Sequence, residues 1–224
     1  MSDIQMPLLI HGEINDPAIE MFDREEAFIR NTLEPFIVKY PRLKIVLEHA
    51  TTACAVQFIE EHATTHNIAA TITVHHLMYT RDSVMINGSI NRYMYCLPIL
   101  KHESDRQALL RAATSGHPRF FLGTDSAPHS ITAKESTCCA GIYTAHAAVE
   151  LYAEVFDAQN ALDKLENFCS VFGAQFYGLP VNDKRIKLIR EDWRVPETCK
   201  FGSSEVKPLK SGEIITWKIE NKQY

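Results

Sequence analysis

The sequence lacks the features that mark membrane, secreted and nucleic-acid-binding proteins. It has no apolar run near the roughly 20 residues that cross a bilayer. Its first residues, MSDIQMPLLIHGE, contain neither the basic region nor the apolar core of a signal peptide. Its formal net charge is -5 and no stripe of Lys or Arg stands out, which argues against nucleic acid as a partner. We therefore expect a globular cytoplasmic protein that binds neither membranes nor nucleic acid.

The cysteines form no CxxC pair. The chain has six of them in 224 residues: Cys54, Cys96, Cys138, Cys139, Cys169 and Cys199. Scattered cysteines in a chain of this length are typical of reduced thiols in a cytosolic protein. Because a free cysteine packs as a small hydrophobic residue, we interpret all six as parts of the core.

Short apolar runs alternate with amphipathic segments along the chain. The runs predict strands at 6–11, 43–49, 69–75 and 119–124. The segments between and after them predict helices at 18–37, 51–63, 104–116, 140–159 and 161–178, where Thr51 and Thr52 can cap the second helix and Ser104 the third. This alternation is typical of an α/β fold, with parallel strands and outer helices.

Two further segments complete the predicted organisation. Residues 80–104 are long for a connection, so we expect them to be functional or locally structured. Residues 214–219, IITWKI, predict a short strand near the C-terminus. No repeat, low-complexity segment or linker divides the chain, and we expect a single domain over residues 1–224.

Polar side chains that can bind a metal lie at the ends of the predicted strands. His11 ends the first strand, His49 the second, and Asp125 follows the fourth. Catalytic groups of parallel α/β proteins gather at the carboxyl ends of strands. Imidazole and carboxylate are typical zinc ligands, and three of them leave one coordination position for water. We therefore expect His11, His49 and Asp125 to converge on a metal site.

Other interpretations of these residues remain open at this point. A histidine at a strand end is often a hydrogen-bonded surface residue, and an aspartate after an apolar run is often the N-cap of the next helix. If Asp125 is buried, it needs a hydrogen bond, an ion pair or a metal. His75 and His76 point to opposite faces if both lie in a strand, and we interpret both as structural.

Several motifs together resemble one family. They are LLIHGE, EHATT, ATITVHHLMYTRD, YCLPILK, FLGTDSAPH followed by KES, FCSVFGAQFYGLPVND and GEIITWKI. In this order they resemble the single-domain bacterial dihydroorotases, which belong to the amidohydrolase superfamily of metal-dependent (β/α)8 TIM barrels. The resemblance runs from about Met6 to the C-terminus, and GTDSAPH and FYGLPVND are its most specific parts.

The resemblance implies a metal site and a catalytic residue. His11 and His49 match the two histidine ligands of the second of two zinc ions. Asp125 matches the aspartate that contacts the first ion and acts as general acid/base. In the implied mechanism, a bridging hydroxide attacks a ring carbonyl, and Asp125 carries its proton to the departing ring nitrogen.

The resemblance also implies a substrate site and a reaction. By this resemblance, His11 also binds substrate, and His129 matches the histidine that binds the substrate carboxylate. The main chains of Leu97 and Ala140 match positions that hydrogen-bond the pyrimidine ring. The implied reaction is the reversible hydrolysis of the cyclic amide of (S)-dihydroorotate to N-carbamoyl-L-aspartate, in de novo biosynthesis of pyrimidines (UMP).

The chain departs from the family in its first half. The family's barrel opens with an HxH pair, an arginine, an asparagine and a carbamylated lysine, whereas this sequence contains no HxH triplet. We therefore expect the second half of a TIM barrel, about strands five to eight, in an N-terminally truncated chain. One alternative is a piece of a split enzyme. Another is a noncatalytic half-barrel remnant or an interaction partner of a complete amidohydrolase. For assembly, we expect either a homodimer or pairing with a missing N-terminal half.

Overall fold

Four parallel strands form the central sheet of this computed structural model, which describes residues 1–220. The first to fourth strands are Leu8–His11, Ile45–Glu48, Ile68–Ile72 and Phe120–Leu122. Each strand pairs in parallel with the one that precedes it in the sheet. The four predicted strands are confirmed, within shorter bounds. Sequential parallel strands with helices between them form an arc of a (β/α) barrel, so the predicted α/β fold is confirmed.

Burial explains why the second and third strands are apolar without alternation. Ile45, Val46 and Leu47 are buried, as is every residue of Ile68–Ile72, because helices cover one face and side chains fill the other. The first strand lies at the edge of the sheet and alternates, with Leu9 48% exposed. The apolar pattern of each strand therefore indicates how many of its residues are buried.

The helices follow the strands in the predicted order. Three of the predicted helices have the bounds Ala53–His62, Glu103–Thr114 and Ala148–Ala158, and two further helices, Val74–Met78 and Ile131–Thr137, were not predicted. Two longer helices each contain a π-helical turn; they consist of Arg24–Phe28, Ile29–Leu33 and Glu34–Lys39, and of Leu162–Glu166, Asn167–Val171 and Phe172–Tyr177. Thr52 caps its helix as predicted, since its Oγ1 accepts from Ala55 N at 3.1 Å.

Three predicted boundaries are wrong. The third strand ends at Ile72, and Thr73 caps the helix Val74–Met78, so His75 and His76 lie in a helix. The helix predicted from Ser104 begins at Glu103, where Asp105 accepts from His102 N at 3.3 Å. The helix predicted over 140–159 begins only at Ala148. Residues 140–147 do not form the predicted helical turns, because long-range bridges join Ile142 to Ser126 and Tyr143 to Pro208.

The segment 80–104 is locally structured, as expected. It contains the 3-10 turns Arg81–Ser83 and Arg92–Met94 and a hairpin of Met85–Ile86 with Ser89–Ile90. Ser2–Ile4 forms a further 3-10 turn at the N-terminus.

An antiparallel hairpin closes the described part of the chain. The predicted strand is confirmed as Ile214–Ile219, and it pairs with Leu188–Arg194, a strand that the sequence did not indicate. The hairpin contacts the helix Ala148–Ala158, where Thr216 N donates to Glu154 Oε1 at 2.6 Å. A smaller hairpin joins Cys199–Phe201 to Ser204–Val206. Within residues 1–220, no helix combines the length and the apolarity that crossing a membrane requires.

Candidate metal centre and substrate site

His11 and His49 meet at the carboxyl ends of adjacent strands. His11 pairs with Glu48 across the first two strands, so the next residue of the second strand emerges beside it. His11 Nδ1 lies 3.3 Å from His49 Nε2, and the two ring centroids are 4.9 Å apart. The structure therefore brings together two of the three residues predicted to bind a metal.

The backbone around His49 is held in an unusual conformation. His49 has φ of 42°, in the left-handed region, and its N–H donates to Thr71 Oγ1 at 2.7 Å. Asp125 also has a positive φ, of 39°. A left-handed conformation at a residue other than glycine costs about 1–3 kcal/mol and is concentrated at functional sites. Two such residues among the three candidates support a functional role for this end of the sheet.

Thr71 links the loops that carry His49 and Asp125. Besides accepting from His49, it packs directly beneath Gly123, where an added Cβ would lie 2.5 Å from Thr71 Cβ. Glycine is therefore required at 123 by close approach. The same threonine therefore contacts both loops where they leave the sheet.

Glu13 orients the ring of His11. His11 Nε2 donates to Glu13 Oε2 at 2.9 Å, which directs its Nδ1 lone pair towards His49. This hydrogen bond is the main cause that raises the pKa of His11, and the charges of Glu13, Asp125 and Glu25 raise it further. A carboxylate behind a histidine is the usual way to fix the tautomer of a metal ligand. Sequence reasoning missed Glu13, although it lies two residues from His11 in the motif LLIHGE.

His49 has the opposite electrostatic environment. Burial lowers its pKa to about 4, and repulsion by the charge of His11 contributes. His49 is therefore neutral at physiological pH, which is the form that binds metals.

Asp125 lies in the loop after the fourth strand. Local desolvation raises its pKa, the positive charge of His11 lowers it, and the charge of Glu48 raises it. The residue as a whole is exposed, so the premise of a buried carboxylate is wrong. The helix-cap interpretation is also wrong, because the next helix is capped by Ser130, whose Oγ accepts from Ala133 N at 3.2 Å.

The residues predicted to bind substrate lie in two neighbouring loops. His129 Nε2 donates to Ala140 O at 2.9 Å, so these two residues contact each other directly. Leu97 lies in the segment 95–98, and that segment contacts the second loop, where Gly141 N donates to Tyr95 O at 2.9 Å.

Lys134 joins the same two loops from within and was missed by sequence reasoning. Its buried ammonium donates to Tyr95 O at 3.1 Å, Cys139 O at 2.8 Å and Gly141 O at 2.9 Å. Three carbonyl acceptors replace the water that this cation loses on burial. Cys139 and Gly141 flank Ala140, and Tyr95 lies two residues before Leu97, so Lys134 supports the main chain close to both predicted substrate residues. In a sequence, a lysine among polar residues does not indicate burial. The only signal for Lys134 was its place in the motif KES.

Glu25 supports the loop that follows His49 and was also missed. It is 1% exposed, and its carboxylate accepts from the backbone N–H and the hydroxyl groups of Thr51 and Thr52 at 2.6 to 3.1 Å. Burial raises its pKa, while the charge of Lys101 and the threonine hydrogen bonds lower it. Glu25 therefore attaches the first long helix to the end of the second strand.

Comparison with known proteins places these features in a family. The model of the amidohydrolase family matches residues 1–182. The dihydroorotase of Nitrosomonas europaea is 54% identical over 220 residues, which cover 98% of this chain and 62% of the relative. That of Pseudomonas aeruginosa is 51% identical over 220 residues and is covered to 62%. The chain therefore spans less than two thirds of the length of these curated relatives.

Solved structures give the same result. The dihydroorotase of Campylobacter jejuni superposes with a TM-score of 0.88 at 35% identity, over 99% of this chain and 63% of that one. The dihydroorotase of Saccharomyces cerevisiae in complex with 5-fluoroorotic acid gives a TM-score of 0.86 at 34% identity, over 98% and 64%. A D-hydantoinase from a Bacillus species gives 0.76 at 14% identity over 97% of this chain and 55% of that one, which shows a shared fold alone. The resemblance seen in the sequence motifs is confirmed.

Proposed function

The chain belongs to the amidohydrolase family, a family of metal-dependent enzymes, and on that premise we propose that it supplies part of a dihydroorotase active site. The proposed reaction is the reversible hydrolysis of the cyclic amide of (S)-dihydroorotate to N-carbamoyl-L-aspartate, in pyrimidine biosynthesis in the cytoplasm. The observation that carries the proposal is the contact between His11 and His49 at the strand ends, in a chain whose relatives with 51–54% identity are named dihydroorotases.

We propose that His11 Nδ1 and His49 Nε2 bind one zinc ion and that Asp125 contributes at the same site. Two imidazole nitrogens on a tetrahedral zinc ion lie about 3.3–3.4 Å apart, and these two atoms are 3.3 Å apart. The tautomer that Glu13 imposes on His11 and the low pKa of His49 leave both rings able to bind a cation. Zinc bound here would lower the pKa of water and polarise a carbonyl oxygen. The complete family site holds two such ions.

Asp125 is the proposed general acid/base. Its carboxyl has a raised pKa, which makes it a better proton acceptor than an ordinary aspartate, and His11 is within its electrostatic reach. It would take a proton from the attacking water and return it to the departing ring nitrogen. General acid/base transfer of this kind accounts for about 10²- to 10⁴-fold in rate.

The loops held by Lys134 form the proposed substrate site. The imidazole of His129 would bind the substrate carboxylate, and the main chains of Leu97 and Ala140 would hydrogen-bond the pyrimidine ring. His129 and Ala140 are already in contact, and Lys134 fixes the carbonyls on either side of Ala140. Rigid support of this kind reduces the cost of orienting a substrate.

A second candidate function is that of an interaction partner without its own catalysis. The first strand is at the edge of the sheet and exposes Leu9, and such an edge readily pairs with another chain. Its partner would be a second copy of this chain or a complementary part of an amidohydrolase barrel.

An assay of carbamoyl-aspartate formation tests the proposal. The purified 224-residue chain, saturated with zinc, is measured alone and together with the segment of the Nitrosomonas europaea enzyme that it does not match. Because the chain offers two histidines and one aspartate to a site for two ions, we expect weak zinc binding at this site and negligible turnover from the chain alone, and activity in the combined protein.

Two variants of the combined protein complete the test. Asp125→Asn should abolish turnover and leave the circular dichroism spectrum unchanged. Asp192→Asn, at an exposed position on the C-terminal hairpin, is the matched control and should retain activity. Full activity of the short chain alone would contradict the proposed division of the site, and an active Asp125→Asn variant would contradict the proposed role of Asp125.

A further inference from the structure

A second group of metal-binding side chains lies in the core, separate from His11 and His49. It consists of His75, His76 and Cys96, whose ligand atoms all lie within 4.8 Å of one another. All three residues are buried. His75 and His76 come from the helix after the third strand, and Cys96 comes from the segment that carries Leu97. From the sequence, His75 and His76 are expected to be structural and Cys96 to be part of the core.

His75 is the member of this group that packing alone does not explain. It is 0% exposed, and neither ring nitrogen has a hydrogen-bond partner among residues 1–220. Leaving a buried polar group unpaired costs about 1–3 kcal/mol. Buried polar groups in native proteins are almost always satisfied, and an exception points to an ion or a water molecule. The centroid of its ring lies 4.6 Å from that of His76, and the two rings are tilted by 44°.

His76 and Cys96 share one acceptor. His76 Nε2 donates to Pro98 O at 3.0 Å, Cys96 Sγ donates to the same oxygen at 3.3 Å, and Sγ lies 3.9 Å from Nε2. On the far side of the ring, His76 Nδ1 lies 2.6 Å from Thr73 Oγ1. A hydroxyl group can either donate or accept, so Thr73 supports both tautomers of His76.

We propose that His75, His76 and Cys96 bind a thiophilic divalent cation, Zn²⁺ before others, with Pro98 O as the fourth ligand. Tetrahedral zinc places S, N and O ligands about 3.4–3.6 Å apart. Cys96 Sγ lies 3.9 Å from His76 Nε2 and 3.3 Å from Pro98 O, and His76 Nε2 lies 3.0 Å from Pro98 O, close to that arrangement. His75 would complete the set with a ring nitrogen, which lies within 4.8 Å of the other two side-chain ligand atoms. The set of one sulfur and two imidazoles selects zinc over magnesium or calcium.

The protons balance as follows on binding. The thiol of Cys96 loses its proton to solvent and becomes a thiolate ligand. The proton on His76 Nε2 is replaced by one on Nδ1, which then donates to Thr73 Oγ1. The charge of Lys101 favours the thiolate, and burial and the charge of Asp125 oppose it, so the thiol of the metal-free chain stays protonated.

The site would be structural, because protein atoms occupy all four coordination positions. It would tie the helix Val74–Met78 to the segment 95–98 and thereby fix the main chain of Leu97 from beneath. The inference does not depend on the proposed dihydroorotase activity, since it involves neither His11 nor His49.

Cobalt substitution tests the proposal on the full chain. The chain is produced in zinc-poor medium supplemented with Co²⁺, and its absorption spectrum and metal content are measured. A tetrahedral cobalt site with one thiolate gives a sulfur-to-cobalt charge-transfer band in the near ultraviolet and intense visible bands. We expect both in the wild-type chain and in the His11→Ala/His49→Ala variant. Absence of the charge-transfer band from the wild-type chain would overturn the proposal, whether or not any variant folds.

Matched variants identify the ligands. Cys96→Ser should remove the charge-transfer band, whereas Cys169→Ser, a partly buried cysteine against the core, should keep it. Thr73→Val should weaken cobalt binding about 10- to 100-fold, as loss of an outer hydrogen bond to a ligand does. A band that survives Cys96→Ser, or that disappears in Cys139→Ser instead, would assign the cobalt to other thiols and refute the site.

Discussion

Replacing Lys134 with methionine tests whether one buried cation holds the two substrate loops. Methionine keeps much of the length and the apolar character of the lysine stem but cannot donate. Tyr95 O, Cys139 O and Gly141 O would each lose a donor. Tyr95 O keeps the N–H of Gly141 as a donor, so two carbonyls are left unsatisfied. At about 1–3 kcal/mol each, they give about 2–6 kcal/mol as an upper range. Relief of the buried ammonium and entry of water offset part of this. We expect a net loss of about 2–4 kcal/mol in the free energy of unfolding.

Urea unfolding, followed by circular dichroism, measures this loss through the shift in midpoint at constant slope. Lys200→Met, at an exposed position in the small hairpin, is the control and should change stability by less than about 0.5 kcal/mol. The rate at which a thiol reagent modifies Cys139 gives a local readout, and it should rise in Lys134→Met, because the carbonyl of Cys139 is released. A Lys134→Met chain as stable as the control, with an unchanged Cys139 rate, would refute the role given to Lys134.

Two further predictions concern buried groups near His49. Glu25→Ala should lower the free energy of unfolding by about 3–5 kcal/mol, because it leaves the threonine donors and the charge of Lys101 without their carboxylate. The control is Glu26→Ala, which removes a carboxylate that pairs with Arg30 at the surface and should cost under about 1 kcal/mol. Equal losses for the two variants in urea titrations would contradict the prediction. The metal-free chain should lose stability as the pH falls. The pKa of His49 is about 4 in the folded chain, below a value of about 6.5 in the unfolded chain. The neutral form of His49 therefore stabilises the fold above about pH 6.5, and that contribution is lost between about pH 6.5 and 4. The slope of stability against pH in that window should flatten in His49→Gln, and an unchanged slope would show that another group is responsible.

The strands could be predicted because their cause is local. Continuous apolar runs are needed where both faces of a strand are buried, and the sequence shows them directly at Ile45–Glu48 and Ile68–Ile72. The convergence of His11 and His49 follows from the same argument, since neighbouring parallel strands end at one edge of the sheet.

The remaining features depend on contacts between distant residues. Residues 140–147 have the composition of a helix, yet the bridges from Ile142 to Ser126 and from Tyr143 to Pro208 keep them out of one. The strand Leu188–Arg194 is rich in charge and becomes a strand because Ile214–Ile219 pairs with it. Lys134 acquires its role from carbonyl groups brought to it by folding, and backbone acceptors leave no trace in a sequence.

The central claim is that His11 and His49 bind one metal ion through different ring nitrogens. Long-range ¹⁵N–¹H spectra of the imidazole rings test it most directly, recorded on the Cys96→Ser chain before and after one equivalent of Zn²⁺. The geometry predicts that zinc binds His11 at Nδ1, with the proton on Nε2 facing Glu13, and His49 at Nε2, with the proton on Nδ1. Zinc that shifts neither ring, or that binds His11 through Nε2, would contradict the account.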